Sequence, residues 1–284
     1  MKTVSRLAIV LAALVLGFSI GKAEDKLKEF GVTVYKMGEE RATDKDAGPN
    51  FDKFLAYLEK KLEGPKFPRR GIRSNADDAK KLIEDGKQTT AMAIVSPNFY
   101  FRHKDALKLT VIAEAQRKGL NGEQYVLIGA SKAEKYPEGK KVATNLDDTD
   151  WLNKVVMPTP DGAKPIQWVS KANIFDALFA ILDEEDDACD LVLVDRVTLE
   201  AVEKDRSLKG MARGLKSEML PQDLVVEVDG RLGEKRAAVI KVLKGLDGDD
   251  EGKKVGEVIQ VPKFMDADDA RVKAAAERFN KGAK

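Results

Sequence analysis

Cysteine and histidine are almost absent from this sequence: Cys189 and His103 are the only ones in 284 residues. One cysteine excludes an intramolecular disulfide, so stability has to come from a hydrophobic core, in which Cys189 reads as a small buried side chain beside a strand. One histidine, set in the charged turn Arg102-His103-Lys104-Asp105, offers no metal-ligand spacing and reads as a surface residue. Neither a metal nor a cofactor is expected. An excess of one charge is missing too. The 49 basic and 48 acidic residues are mixed along the chain, with no basic stripe to track nucleic acid and no polybasic patch for a membrane surface. Carboxylate pairs such as Asp147-Asp148 and Asp186-Asp187 are common in solvated turns and make no acid–base case, so an enzyme is not expected.

Long hydrophobic runs are also lacking, with one short exception at the start. Lys2 and Arg6 precede the apolar run Leu7 to Leu16, and Gly21-Lys22-Ala23 ends in a small-x-small pattern. The run is shorter than the roughly 20 residues that span a bilayer, so residues 1–23 read as an export signal cleaved after Ala23, leaving Glu24 as the first mature residue. Cleavage removes three positive charges and no acids, which takes the formal net charge from +1 to −2. No cysteine follows the run to carry a lipid, so a freely soluble exported protein is expected.

What remains alternates between strands and helices. Gly31 to Lys36 has the period of a strand, and a loop ending in Gly48-Pro49-Asn50 follows it. Phe51, Phe54, Leu55, Leu58 and Leu62 then form one helical stripe, which Gly64-Pro65 stops. Ser74 is the expected N-cap of a second helix, with Gly86 to terminate it. Thr90 to Val95 is a buried strand ending in Ser96-Pro97-Asn98, where simple turn chemistry competes with ligand contact, and Leu107 to Ala113 is a second. A further unit places strands at Tyr125 to Gly129, Lys140 to Thr144, Ile166 to Val169 and Leu191 to Val194. A short helix from Thr149 or Asp150 to Met157 and a longer one from Asn173 to Leu182 lie among them. Beyond Gly210 come the strand Leu224 to Val228, a helix from Gly233 to Leu243, a Lys/Asp-rich solvated loop at Asp247 to Lys254 and a helix from Asp266. This is βαβ logic, in which helices cover parallel strands.

The runs FDKFLAYLEKKLEG, ADDAKKLIEDGKQTTAMAIVSPNFY, GKKVATNLDDTDWLNKVV, NIFDALFAILDEEDDACDLVLVD and LKSEMLPQDLVV, in that order over residues 28 to 275, resemble the phosphate/phosphonate-type family of periplasmic solute-binding proteins. The resemblance implies an α/β, two-lobed type II periplasmic-binding-protein fold, each lobe a mostly parallel sheet flanked by helices. It implies lobe 1 at residues 24–113 plus 214–284, lobe 2 at residues 114–213, and two hinge crossings near residues 113–120 and 210–217. The implied role is the periplasmic receptor of an ABC-type importer, a monomer whose partners are a small ligand and an inner-membrane permease.

Strand carboxyl ends and helix N-termini present free N–H groups, so physics and resemblance select the same candidates for ligand binding. From lobe 1 these are Tyr35, Ser96, Asn98 and Tyr100; from lobe 2 they are Thr144, Asn145, Thr149 and Asp195. Thr149 reads equally well as a helix cap and Asp195 as a plain turn residue. The resemblance places a carboxylate at the Asp195 position for a ligand amine. The family's oxyanion loop is rich in Ser, Thr and Gly, whereas this one reads Asn145-Leu146-Asp147-Asp148-Thr149-Asp150. At roughly 4 Å and an effective dielectric of about 20, each like-charge contact would cost about 4 kcal/mol, so a phosphate or phosphonate oxyanion competes with zwitterionic, cationic and neutral ligands as the expected cargo. An exported accessory or sensor subunit with an altered or lost ligand site is the alternative function.

Overall fold

Two mixed sheets carry the chain, and it passes between them twice. The structure is a computed structural model that describes residues 29–37, 44–85, 89–117 and 120–281. The export signal and the Gly86 terminator therefore lie outside the described residues. The elements run β1 (Gly31–Tyr35), α1 (Gly48–Leu62), β2 (Arg69–Arg73), α2 (Ala76–Glu84), β3 (Thr90–Val95), α3 (Pro97–His103) and β4 (Leu109–Gln116). Next come β5 (Tyr125–Gly129), β6 (Lys141–Thr144), α4 (Thr149–Trp151) continuing as a π-helical turn over Leu152–Val156, β7 (Gln167–Ser170), α5 (Ile174–Leu182), β8 (Leu191–Asp195), α6 (Arg196–Lys204) and β9 (Ala212–Lys216). The last are β10 (Leu224–Val228), α7 (Arg236–Lys244), α8 (Asp250–Val258), β11 (Lys263–Met265) and α9 (Asp269–Asn280).

The first sheet has the order β11-β4-β10-β3-β1-β2 and the second β7-β6-β8-β5-β9. Each contains a parallel trio, β3-β1-β2 and β7-β6-β8, extended by antiparallel strands. Parallel strands point their carboxyl ends the same way, so the residues just after Tyr35, Val95, Thr144 and Val194 collect at one end of each sheet.

Helix α1 buries Phe51, Phe54, Leu55 and Leu58, as its stripe dictates. Phe54 and Leu58 are wholly covered, worth about 1.5–3 kcal/mol each, and Phe54 stacks on Phe264 of β11 at 5.6 Å. In the second sheet α5 turns Ile174, Ala177, Leu178 and Ile181 inward. A further apolar cluster joins the two sheets: Tyr35, Phe99 and Phe101 from the first side meet Leu146, Trp151 and Val155 from the second.

The crossings from β4 to β5 and from β9 to β10 run side by side. Glu123 N donates to Leu220 O at 2.8 Å and Leu220 N to Glu123 O at 2.7 Å. The Gln222 side chain accepts from Arg117 N at 2.6 Å and donates to Leu120 O and Gly122 O at 3.2 and 3.0 Å.

Several local expectations are corrected. Helix α1 begins at Gly48 with Pro49 in its first turn, where a missing N–H costs nothing, so Gly48-Pro49-Asn50 is not loop. The N-cap of α2 is Asn75, whose side chain accepts from Asp78 N, and not Ser74. Asp247 to Lys254 is not a solvated loop. Asp249 caps α8, which packs Gly252 and Gly256 inward. His103 is half-buried, its ring 4.6 Å from Phe99, and burial lowers its pKa. Among the described residues no helix is long and apolar enough to cross a membrane.

Candidate functional site

A cavity of about 50 Å³ lies between the sheets, at the carboxyl ends of both parallel trios, large enough to hold water. Its walls come from the ends of β1 and β3 (Lys36, Ser96), from the ends of β6 and β8 (Asn145, Asp195) and from both crossings (Arg117, Glu123, Gln222, Asp223). Tyr125 and Trp151 line it too.

The charged walls are paired with one another. Lys36 Nζ lies 2.5 Å from Asp223 Oδ2. The Arg117 guanidinium lies 3.5 Å from Asp195, 3.7 Å from Asp223 and 4.0 Å from Glu123. Burial, then the nearby Asp195 and Asp223 charges, push the Glu123 carboxyl up to about 7, with Arg117 opposing. Burial, then the Glu123 and Asp195 carboxyls, raise the Tyr125 phenol far above its ordinary value. Two cations therefore face three carboxyl groups, one of which is half protonated near neutral pH.

Of the eight residues singled out in the sequence, Ser96, Asn145 and Asp195 line the cavity. Ser96 holds the N-cap position of α3 without capping it. Its hydroxyl accepts from Met37 N at 3.1 Å and hydrogen-bonds Asp223. Asp195 does two jobs: Oδ1 caps α6 by accepting from Thr198 N at 2.7 Å, and Oδ2 faces Arg117.

The other five stand behind or beside the cavity. Tyr35 is buried against Phe99 at 5.0 Å with the Asn98 amide hydrogen-bonded to its hydroxyl. Asn98 Nδ2 donates to Asp148 Oδ2 at 3.0 Å, joining the two sides. Tyr100 packs edge-on to Phe101. Thr144 is buried and its hydroxyl accepts from Leu146 N at 3.2 Å. Thr149 is exposed, and the cap of α4 is Asp148, which accepts from Trp151 N. The loop lines the cavity through Asn145 and Leu146 but not through its carboxylates: Asp148 faces Asn98 and Arg102, while Asp147 and Asp150 are exposed.

Lys36, Arg117, Glu123 and Asp223 are absent from the sequence-based set. Lys36 and Asp223 flank strands that the sequence marks clearly, and a search for polar residues at both ends of every strand would have found them. Arg117 and Glu123 sit in the first crossing, expected near residues 113–120, but the Asp195 and Asp223 charges around them arrive from distant sequence.

No protein-family model matches the chain, and no curated protein matches it in sequence. Solved structures do match in shape. XAC2383 from Xanthomonas citri, solved with chloride and with ATP, superposes with a TM-score of 0.69 at 8% identity, covering 89% of this chain and 98% of its own. PhnD1 from Prochlorococcus marinus, in complex with methylphosphonate, gives 0.63 at 12% identity over 90% of this chain and 98% of its own. A binding protein component of an ABC phosphonate transporter, PA3383 from Pseudomonas aeruginosa, gives 0.60 at 13% identity over 90% and 89%. The fold is that of the type II periplasmic binding proteins. Binding proteins of phosphonate transporters are among the structures that share it.

Proposed function

We propose that this chain is the periplasmic solute-binding receptor of an ABC-type importer. It would bind a small polar ligand between a first lobe built on the β11-β4-β10-β3-β1-β2 sheet and a second lobe built on the β7-β6-β8-β5-β9 sheet, and present the closed form to a permease. One observation carries this reading: the charged cavity at the carboxyl ends of both parallel trios, walled by both sheets and both crossings. A ligand there touches parts of the chain that separate on opening, so it stabilises the closed form by its differential affinity. Binding is supported by the commitments of the polar groups: the Ser96 hydroxyl is held by Met37 N and Asp223, and the ionic groups pair with each other across the cleft.

The test is mass spectrometry of small molecules released from protein purified without refolding, followed by thermal shift with oxyanions, amines and zwitterions. A ligand at a hundred times its Kd adds about 2.7 kcal/mol to stability. Ser96→Ala and Asn145→Ala should weaken its binding. A native preparation that releases nothing and responds to no probe overturns the receptor reading.

A second reading, an exported accessory or sensor subunit, is favoured by the small cavity and by the pairing of Lys36 and Arg117 with the protein's own carboxylates.

A further inference from the structure

The cations that should greet an oxyanion in this cleft already have anions. Asp223 takes Lys36 at 2.5 Å and Arg117 at 3.7 Å, and Asp195 and Glu123 face the same guanidinium at 3.5 and 4.0 Å. These carboxylates come from three parts of the chain: Glu123 from the first crossing, Asp223 from the second, and Asp195 from the end of β8. The remaining acceptors are engaged, with Asp195 Oδ1 on Thr198 N, Glu123 Oε1 on Gln124 N and Asp223 on the Ser96 hydroxyl. A planar five-donor cation within ion-pair range of carboxylates from three separate segments at a cleft is the environment a guanidinium ligand would seek in its receptor.

We infer that Asp195, Asp223 and Glu123 form a seat for a planar organic cation, and that Arg117 fills it as an internal ligand that draws the second sheet's Asp195 toward the two crossings. The inference rests on the cleft being the binding site and names the ligand class it accepts: a guanidinium or amidinium compound that competes with Arg117. An oxyanion has to detach Lys36 and Arg117 from carboxylates fixed beside them, and it meets three acids where there are two cations.

The probe is methylguanidinium chloride at millimolar concentration, with equal sodium chloride as the ionic-strength control, read by thermal unfolding of the mature protein and of Arg117→Ala. The variant should melt lower than the wild type and regain about 3–5 °C with methylguanidinium but not with sodium chloride. The wild type, its seat occupied, should move by less than a third as much. Asp195→Asn in the Arg117→Ala background should abolish the recovery. Should Arg117→Ala not fold alone, the yield of soluble protein refolded with and without methylguanidinium gives the same reading.

An equal response to both salts, an equal response of variant and wild type, or recovery that survives Asp195→Asn overturns the inference. The outcome does not depend on the natural cargo. Recovery by methylguanidinium, with a wild type that releases and binds nothing, keeps the internal ligand and removes the receptor reading. A wild type that binds methylphosphonate, with no rescue of Arg117→Ala, does the reverse.

Discussion

Asn98 and Asp148 stand on opposite sides of the cleft and meet at 3.0 Å, the amide of one donating to the carboxylate of the other. Asp148 also accepts from Arg102 Nη2 at 2.8 Å and caps α4 through Trp151 N at 3.0 Å. Asp148→Ala removes a cap and two bonds between the sheets, with an expected loss of about 2–4 kcal/mol in urea unfolding. A loss below about 0.5 kcal/mol would show that the contact is ornamental.

Glu123 gives stability a pH dependence of unusual sign. Its folded pKa, about 7, lies above the unfolded value of 4.5. The folded state holds the proton more tightly, so this contribution is complete below pH 4.5 and is lost as pH rises through 7. The groups facing it are Arg117, Asp195 and Asp223, with Tyr125 and Gln124 adjacent. Glu123→Gln, neutral at every pH, should flatten the curve between pH 5 and 8 by a few kcal/mol. Parallel wild-type and mutant curves would show that Glu123 titrates normally.

Helix α9 reaches across both sides of the molecule. Phe279 sits 6.2 Å from Phe101 and 6.2 Å from Trp151, with Arg102 over its ring at 5.5 Å. The ring is half-buried, so Phe279→Ala should cost less than a full core truncation, about 1–3 kcal/mol, and should shift Trp151 fluorescence toward a wetter environment. An unchanged emission spectrum would mean that α9 leaves Trp151 as dry as before.

A methyl group on Gly252 would fall 1.9 Å from the Leu246 carbonyl oxygen. That atom belongs to the backbone and cannot step aside, so α8 has to shift. Gly252→Ala should destabilise by about 1–3 kcal/mol despite the higher helix propensity of alanine. A neutral or stabilising effect, measured by urea unfolding, would place α8 farther from the Leu246 turn.

The same glycine explains why α8 was illegible in the sequence. Helices α1 and α5 show themselves by apolar stripes, and β5 and β10 fall on the residues that periodicity marks, because apolar side chains do the burying there. In α8 the buried positions are Gly252 and Gly256, so backbone packs where a stripe would be, and the Lys and Asp residues around them look like a solvated loop. The site divides similarly. Ser96, Asn145 and Asp195 follow strands whose ends are readable, whereas Arg117 acquires its acidic surroundings only when β8 and the second crossing arrive from distant sequence. Thr149 stands at a helix terminus that Asp148 already caps.

The sheet order bears on how the chain is assembled during synthesis. Among the described residues strand β4 is paired in the first sheet with β10 and β11 alone, and both lie in the sequence beyond every strand of the second sheet. An emerging chain therefore completes β2-β1-β3 early, then holds the largely apolar strand LTVIAEAQ unpaired until Leu224–Val228 has been made. Such long-range pairing is slow to form and leaves a sticky strand open in the meantime. The second sheet, continuous in sequence from β5 to β9, needs no such wait, so the middle of the chain should be ordered before β10 and β11 close the first sheet around β4.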